Sequence, residues 1–212
     1  MAILLGFERN FFARCALLSA MLLVLVCFVW DMHCGRESSK RGNCQRNLKF
    51  MALEFLAYAQ DYDERLPPSR GSGIVGDAGF GWSESIESYI KYPLELQCPS
   101  DIYPDSHEPG SRGYSDYWMN SRVCGRDSSA MLRSQSTILA GDGDGGAPDS
   151  GASYNKSEFP TNWRSMQGDG QPPWFLRHTG GANYSFVDGH VKWLQPEQVS
   201  NDSGQPFTFA TK

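Results

Sequence analysis

The chain has 212 residues, with 19 basic and 24 acidic side chains and a formal net charge of −5. That length holds one domain plus an appendage, not two large domains, and the mixed charge, with no basic cluster longer than Ser-Lys-Arg, argues against a nucleic-acid partner. Aromatics at 13% exclude a wholly disordered chain, while 22 glycines and 12 prolines call for a loop-rich fold.

The first element breaks the soluble pattern. Phe11 to Trp30 carries a single charge, Arg14, and about 20 apolar residues span a hydrocarbon core of about 30 Å. Cys15 to Trp30 alone gives about 24 Å of helix, so Arg14 is expected to snorkel to the headgroups. A retained anchor is preferred to a cleaved signal, because Asp31, Met32 and His33 follow Trp30 where a small-x-small site would be needed. Lipoprotein processing is disfavoured by Val26 ahead of Cys27. Charge does not orient the span: Arg9 and Arg14 flank one side, Arg36, Lys40 and Arg41 the other.

Asn43 to Arg65 reads as an amphipathic helix. Cys44, Leu48, Met51, Phe55, Ala59 and Tyr62 recur at helical spacing as one apolar stripe, and Phe50, Leu53 and Ala57 form a shorter patch on roughly the opposite side. A helix with two apolar faces needs two partners, its own sheet and either a neighbouring molecule or the domain's loops. Pro67-Pro68 stops it. Trp82 to Asp101 is expected to hold a short amphipathic helix, with Ser83 as N-cap and Ile86, Tyr89 and Ile90 as its apolar side, leading into Cys98-Pro99-Ser100-Asp101. Tyr117-Trp118-Met119-Asn120 reads as a strand entry, and Thr137 to Ala140 as a short strand emptying into GDGDGG. From there to Pro173 the composition predicts a long surface loop. Gln195 to Lys212 reads as a polar tail without periodicity, Pro196 ending the last strand.

Trp174 to Leu194, WFLRHTGGANYSFVDGHVKWL, predicts a β-hairpin. Asp188-Gly189 suits a type I′ turn, which pairs Val187 with His190, Phe186 with Val191, Ser185 with Lys192 and Tyr184 with Trp193. Tyr184, Phe186, Val191 and Trp193 would then share the core face. Gly180-Gly181 gives a permissive backbone turn before it, with His178 at the entrance.

His178, nine spacers and Asp188-Gly189, within an Arg-His-x-Gly-Gly-Ala-Asn … Asp-Gly-His-Val … Trp-Leu run, resembles the C-terminal signature of bacterial prepilin-type processing-associated proteins, which are pseudopilin-like. Cys44, Asn47-Leu48-Lys49 and Tyr58 to Tyr62 resemble the same family, as do Cys98-Pro99-Ser100-Asp101 and Tyr117 to Asn120, so the likeness covers about 44–66, 82–120 and 174–194 in family order. It implies an α+β, pilin-like fold in which a long N-terminal transmembrane and amphipathic helix packs on a small antiparallel sheet. The expected organisation is an N-terminal segment 1–35 with the span, a helix extension 36–66, a globular head 67–195 and the tail 196–212. The implied protein is not an enzyme. It is a structural subunit of a type II secretion- or type IV pilus-like assembly, single-pass in the cytoplasmic membrane with its head outside. Its partners would be the lipid bilayer and other pilin-like subunits or secretion machinery. A non-polymerising anchored binding module is the alternative. Gly6-Phe7 marks the candidate processing site, but the leader MAILL has no basic residue and Phe11 stands where such precursors carry glutamate.

The residues able to carry chemistry are few. Cys15 and Cys27 lie in the apolar span as packing residues, which leaves Cys34, Cys44, Cys98 and Cys124 to face an oxidising compartment. No pair has the close spacing of zinc ligands, which argues against metal binding through thiolates. Cys98 and Cys124 bracket one loop-rich lobe and are the candidate disulfide, worth about 3–4 kcal/mol by loop entropy. His178, Asp188 and His190 could ligate a metal or transfer protons. With Asp188 committed to a turn, His190 pointing outward and His178 bonding loop backbone, the motif His178, Gly180, Gly181, Asp188, Gly189, His190 reads as structural. Asp142, Asp144 and Asp149 offer oxygen ligands for calcium on a loop, without the full EF-hand pattern; no other cofactor is expected.

Overall fold

The computed structural model describes residues 2–68, 81–100, 115–143, 155–156 and 174–211. Two compact units divide the chain, Met1–Ser39 and Lys40–Lys212.

The first unit is the beginning of helix α1 (Ala2–Asp61). From Leu17 to Trp30 its large hydrophobic side chains are each more than half exposed, so the helix is apolar all round rather than striped. By length and composition α1 can cross a membrane.

The second unit is α+β, and the later turns of α1 are its spine. Cys44, Leu48, Met51, Phe55 and Ala59 are all buried, as their spacing predicts. Phe50 and Leu53, on the other side, stay about half exposed, as does Tyr62 just past the helix end. The helix is closed by two left-handed residues, Asp63 (φ 54°) and Glu64 (φ 60°), with Glu64 N–H donating back to the Ala59 carbonyl at 2.8 Å. Pro67 and Pro68 come after that break, where they cost no helical hydrogen bond.

Five strands form one sheet: β1 (Tyr117–Asn120), β2 (Ile138–Asp142), β3 (Asn155–Lys156), β4 (Ala182–Phe186) and β5 (Val191–Leu194), in the order β3-β1-β2-β4-β5. β1, β2, β4 and β5 are antiparallel neighbours, and the two-residue β3 adds in parallel beside β1. β3 lies in the stretch whose composition predicts only loop. One face of the sheet packs on α1 in a core that includes Leu48, Phe55, Tyr117, Met119 and Val187. The other face carries a second core of Trp118, Ile138, Phe175, Tyr184, Phe186 and Phe209. Burial on both faces leaves no exposed residue in β1, β2 or β4, so their polar residues Asn120, Asp142, Asn183 and Ser185 are inside as well.

Three expectations are corrected. The hairpin register is shifted by one: Ser185 pairs with Val191, Tyr184 with Lys192, Asn183 with Trp193 and Ala182 with Leu194. The turn is not type I′, because Gly189 (φ +84°) has positive φ and Asp188 does not. Gly189 N–H donates to the Phe186 carbonyl at 2.8 Å and Phe186 N–H to the His190 carbonyl at 2.9 Å, closing a three-residue loop with a glycine bulge. That extra residue moves Val191 and Trp193 to the face opposite Tyr184 and Phe186.

Around Trp82 the helix lasts one turn, α2 (Trp82–Ser85), with Gly81 rather than Ser83 at the N-cap; Ser83 is inside it and buried. A separate 3₁₀ turn, Pro93–Leu96, follows, begun by Pro93. Finally, the C-terminal segment is no loose tail. Thr208 bridges Thr137 and Ser200, and Phe209 is fully buried against Trp118, ring centroids 5.3 Å apart. Two aromatics, Phe207 and Phe209, suffice to dock a polar stretch that has no periodicity.

Candidate functional site

Four elements of the second unit converge on one buried cluster. Cys44 comes from α1, Cys98 from just after the Pro93–Leu96 turn, Asp142 from the end of β2, and His178 from the loop before β4. All four are buried, and their Sγ, Sγ, carboxylate and imidazole atoms lie within 4.8 Å of one another. Cys98 Sγ is 3.6 Å from His178 Nε2, which is 3.3 Å from Asp142 Oδ2.

Each donor is held from behind. The His178 loop is a two-residue turn: Thr179 (φ 55°) and Gly180 (φ 83°) are both left-handed, and His178 and Gly181 exchange backbone hydrogen bonds at 3.0 and 3.3 Å. Trp193 Nε1–H donates to the His178 carbonyl at 2.8 Å. The backbone of His178 is thus spent on the turn, and its ring is turned inward to Asp142 and Cys98. The expectation that His178 serves only loop backbone is corrected here. Asn183 N–H donates to Asp142 Oδ2 at 2.6 Å, and Trp118 Nε1–H to the Asp142 carbonyl. Cys98 N–H donates to Asp116 Oδ2 at 2.7 Å. The Tyr117 hydroxyl accepts from Asn47 Nδ2 at 3.2 Å and donates to the Gln97 carbonyl at 3.4 Å; beside Cys44 it works against the upward push on that thiol.

Electrostatics separates the two thiols. The hydrogen bond from Cys44 holds the Cys98 thiol down, to about 6, against burial, with His178 helping. Cys44 is pushed the other way, first by that same hydrogen bond and then by burial. Burial pushes His178 down, but its hydrogen bonds to Asp142 and Cys98 outweigh this and raise it to about 9. Asp142 Oδ1 and His178 Nδ1, both buried, have no hydrogen-bond partner among the described residues.

Compared with protein families, curated proteins and solved structures, the chain matches none. The chemistry of the site therefore rests on its own geometry. Two sulfurs, an imidazole nitrogen and a carboxylate oxygen are a donor set for a borderline divalent metal.

The other candidate residues named from the sequence fall elsewhere, and the structure reassigns several. Cys98 and Cys124 are not joined: Cys98 faces Cys44 and His178, and the Cys124 thiol donates to the Asn120 carbonyl at 3.4 Å. Burial raises the Cys124 thiol to about 12. Asp142 belongs to a strand rather than a calcium loop; Asp144 and Asp149 lie outside the described residues. Asp188 and His190 pair with each other at the hairpin tip, partly exposed, where Asp188 Oδ1 also accepts the His190 N–H. Gly180 and Gly181 shape the His178 turn and Gly189 the hairpin bulge. Gly6 and Phe7 lie in α1. Sequence spacing missed the cluster because its members stand at 44, 98, 142 and 178 with no local pattern. A signal was nonetheless present: Cys44, Cys98 and His178 each sit in one of the three motif blocks of the pseudopilin-like resemblance.

Proposed function

We propose that this chain is a membrane-anchored, pseudopilin-like structural subunit of a type II secretion- or type IV pilus-like assembly, in the cytoplasmic membrane with its head outside. One observation carries the reading. A single helix, α1, is apolar and exposed from Leu17 to Trp30, and from Cys44 to Ala59 it supplies the stripe on which an antiparallel sheet packs. That division of one helix between a lipid-compatible segment and a head spine suits a subunit built to stand in a membrane and associate laterally. The motif resemblance of 44–66, 82–120 and 174–194 supports it. So does the surface opposite the packed stripe, where Phe50, Tyr92 and Leu94 are exposed along one shallow groove. A neighbouring pilin-like subunit is the partner this face fits.

Phe11, in place of the glutamate that pilin-like precursors carry, favours the second reading, an anchored binding module that does not polymerise. Photo-crosslinking from Phe50 in the native membrane separates the two. Adducts with a second copy or with another pilin-like subunit are expected for an assembly component. Crosslinks confined to an exported protein or polymer would favour the binding module.

A further inference from the structure

We propose that Cys44, Cys98, Asp142 and His178 form a closed structural site for one divalent transition metal, zinc foremost, that staples α1 to the sheet. The inference is independent of the pilin-like reading, since it concerns how the second unit is held together.

Two edges of the cluster match those of a metal tetrahedron, and all four donor atoms lie within 4.8 Å of one another. With Zn–S of about 2.3 Å and Zn–N and Zn–O of about 2.0–2.1 Å, tetrahedral angles put sulfur about 3.6 Å from nitrogen and nitrogen about 3.3 Å from oxygen. Cys98 Sγ to His178 Nε2 is 3.6 Å, and His178 Nε2 to Asp142 Oδ2 is 3.3 Å. Neither thiol is in a disulfide, although the sulfurs are close neighbours.

Desolvation points the same way. Two thiols, a carboxylate and an imidazole buried together would leave costly polar atoms in a low-dielectric core unless something binds them. A 2+ ion facing two thiolates, one carboxylate and a neutral imidazole leaves a net charge of −1, and the nearby positive charge of Arg177 offsets it. Asp142 is oriented from behind, with Asn183 N–H on its Oδ2 and Trp118 Nε1–H on its carbonyl. With four protein donors, all buried, no coordination position is left for substrate, which makes the role structural rather than catalytic. Because the ligands come from α1, the loop after Pro93–Leu96, β2 and the loop before β4, one ion would tie together every layer on the helix side of the sheet.

The test uses the full-length chain in mild detergent, produced with zinc supplied and never exposed to reductant. Elemental analysis should find about one zinc per chain, as for a structural site. Cobalt exchanged into the site should give the intense near-ultraviolet thiolate-to-metal band and the visible bands of tetrahedral coordination. Cys44→Ser and His178→Gln should lose both metal and band, whereas Cys124→Ser should keep them. Because the ligand variants could misfold, thiol mapping of the unmodified protein stands beside them. Cys44 and Cys98 should resist alkylation until chelator is added, and then both should react without reduction. A Cys44–Cys98 disulfide in the isolated protein would overturn the proposal. So would a folded, zinc-supplied protein with both thiols reduced and no bound metal.

Discussion

Gly181 can carry no side chain larger than hydrogen. A Cβ there would sit 2.6 Å from the Leu194 carbonyl oxygen and 2.7 Å from the Trp193 ring, and the backbone oxygen cannot step aside without breaking β4–β5 pairing. Gly181→Ala should therefore destabilise the second unit by about 1–3 kcal/mol, as overpacking does. Gly42, on the exposed side of α1 with nothing within 4 Å of its would-be Cβ, is the opposite case. Gly42→Ala should stabilise by about 0.5–1 kcal/mol through helix propensity. Urea unfolding of the two variants beside the unmodified protein checks the pair, and equal effects would refute the packing argument. At this scale the sequence was informative about which residues mattered and less so about why. The Gly180-Gly181 pair announces a turn, but only the tertiary structure reveals that Gly180 is needed for φ +83° and Gly181 for close approach. Likewise Cys44, Cys98 and His178 stand out within motif blocks, while Asp142 hides in a glycine-aspartate run that resembles a loop.

Among the elements, the link between α1 and the Pro93–Leu96 turn carries a titration. Glu54 and Glu95 are both buried and hydrogen-bonded to each other. Burial first, then the hydrogen bond and charge of Glu95, lift Glu54 from 4.5 to about 8, with Lys91 opposing. The folded state then holds a proton that the unfolded chain releases above about 4.5. This contribution to stability is full below that pH and is lost as pH rises toward 8. Glu54→Gln keeps the side-chain shape and a donor toward Glu95 but cannot ionise. Thermal unfolding across this range should show a falling midpoint in the unmodified protein and a flatter profile in the variant; parallel profiles would refute the coupling. Elements were legible where pattern and punctuation agree. The helix stripe from Cys44 to Ala59, the strand at Tyr117–Asn120 and the apolar start of β2 follow from apolar runs bounded by turn residues, whereas Gly141 and Asp142, which complete β2, belong to a run that reads as loop. The hairpin was legible but its register was not, because Asp-Gly serves both a two-residue turn and a three-residue loop with a bulge, and these differ by one residue. Asp188 settles the choice by keeping a negative φ.

For the whole molecule, the division of labour between the two units is itself testable. No described side chain from Ala16 to Ser39 is buried, whereas both cores, from Cys44 to Phe209, belong to Lys40–Lys212. The apolar surface from Leu17 to Trp30 is exposed, which is costly in water. Deleting Met1 to Asp31 should convert the protein from a carbonate-resistant membrane species to a soluble one. The truncated protein should still unfold in a single cooperative transition, with a midpoint within a few degrees of that of the full-length chain in detergent. Cooperative unfolding with solubility would establish that the head folds by itself and that the first unit serves only to anchor it. Recovery of the full-length chain in the carbonate-washed supernatant would refute the anchor. A truncated protein that is soluble but unfolded would instead show that α1 before Met32 stabilises the head, contrary to the burial pattern.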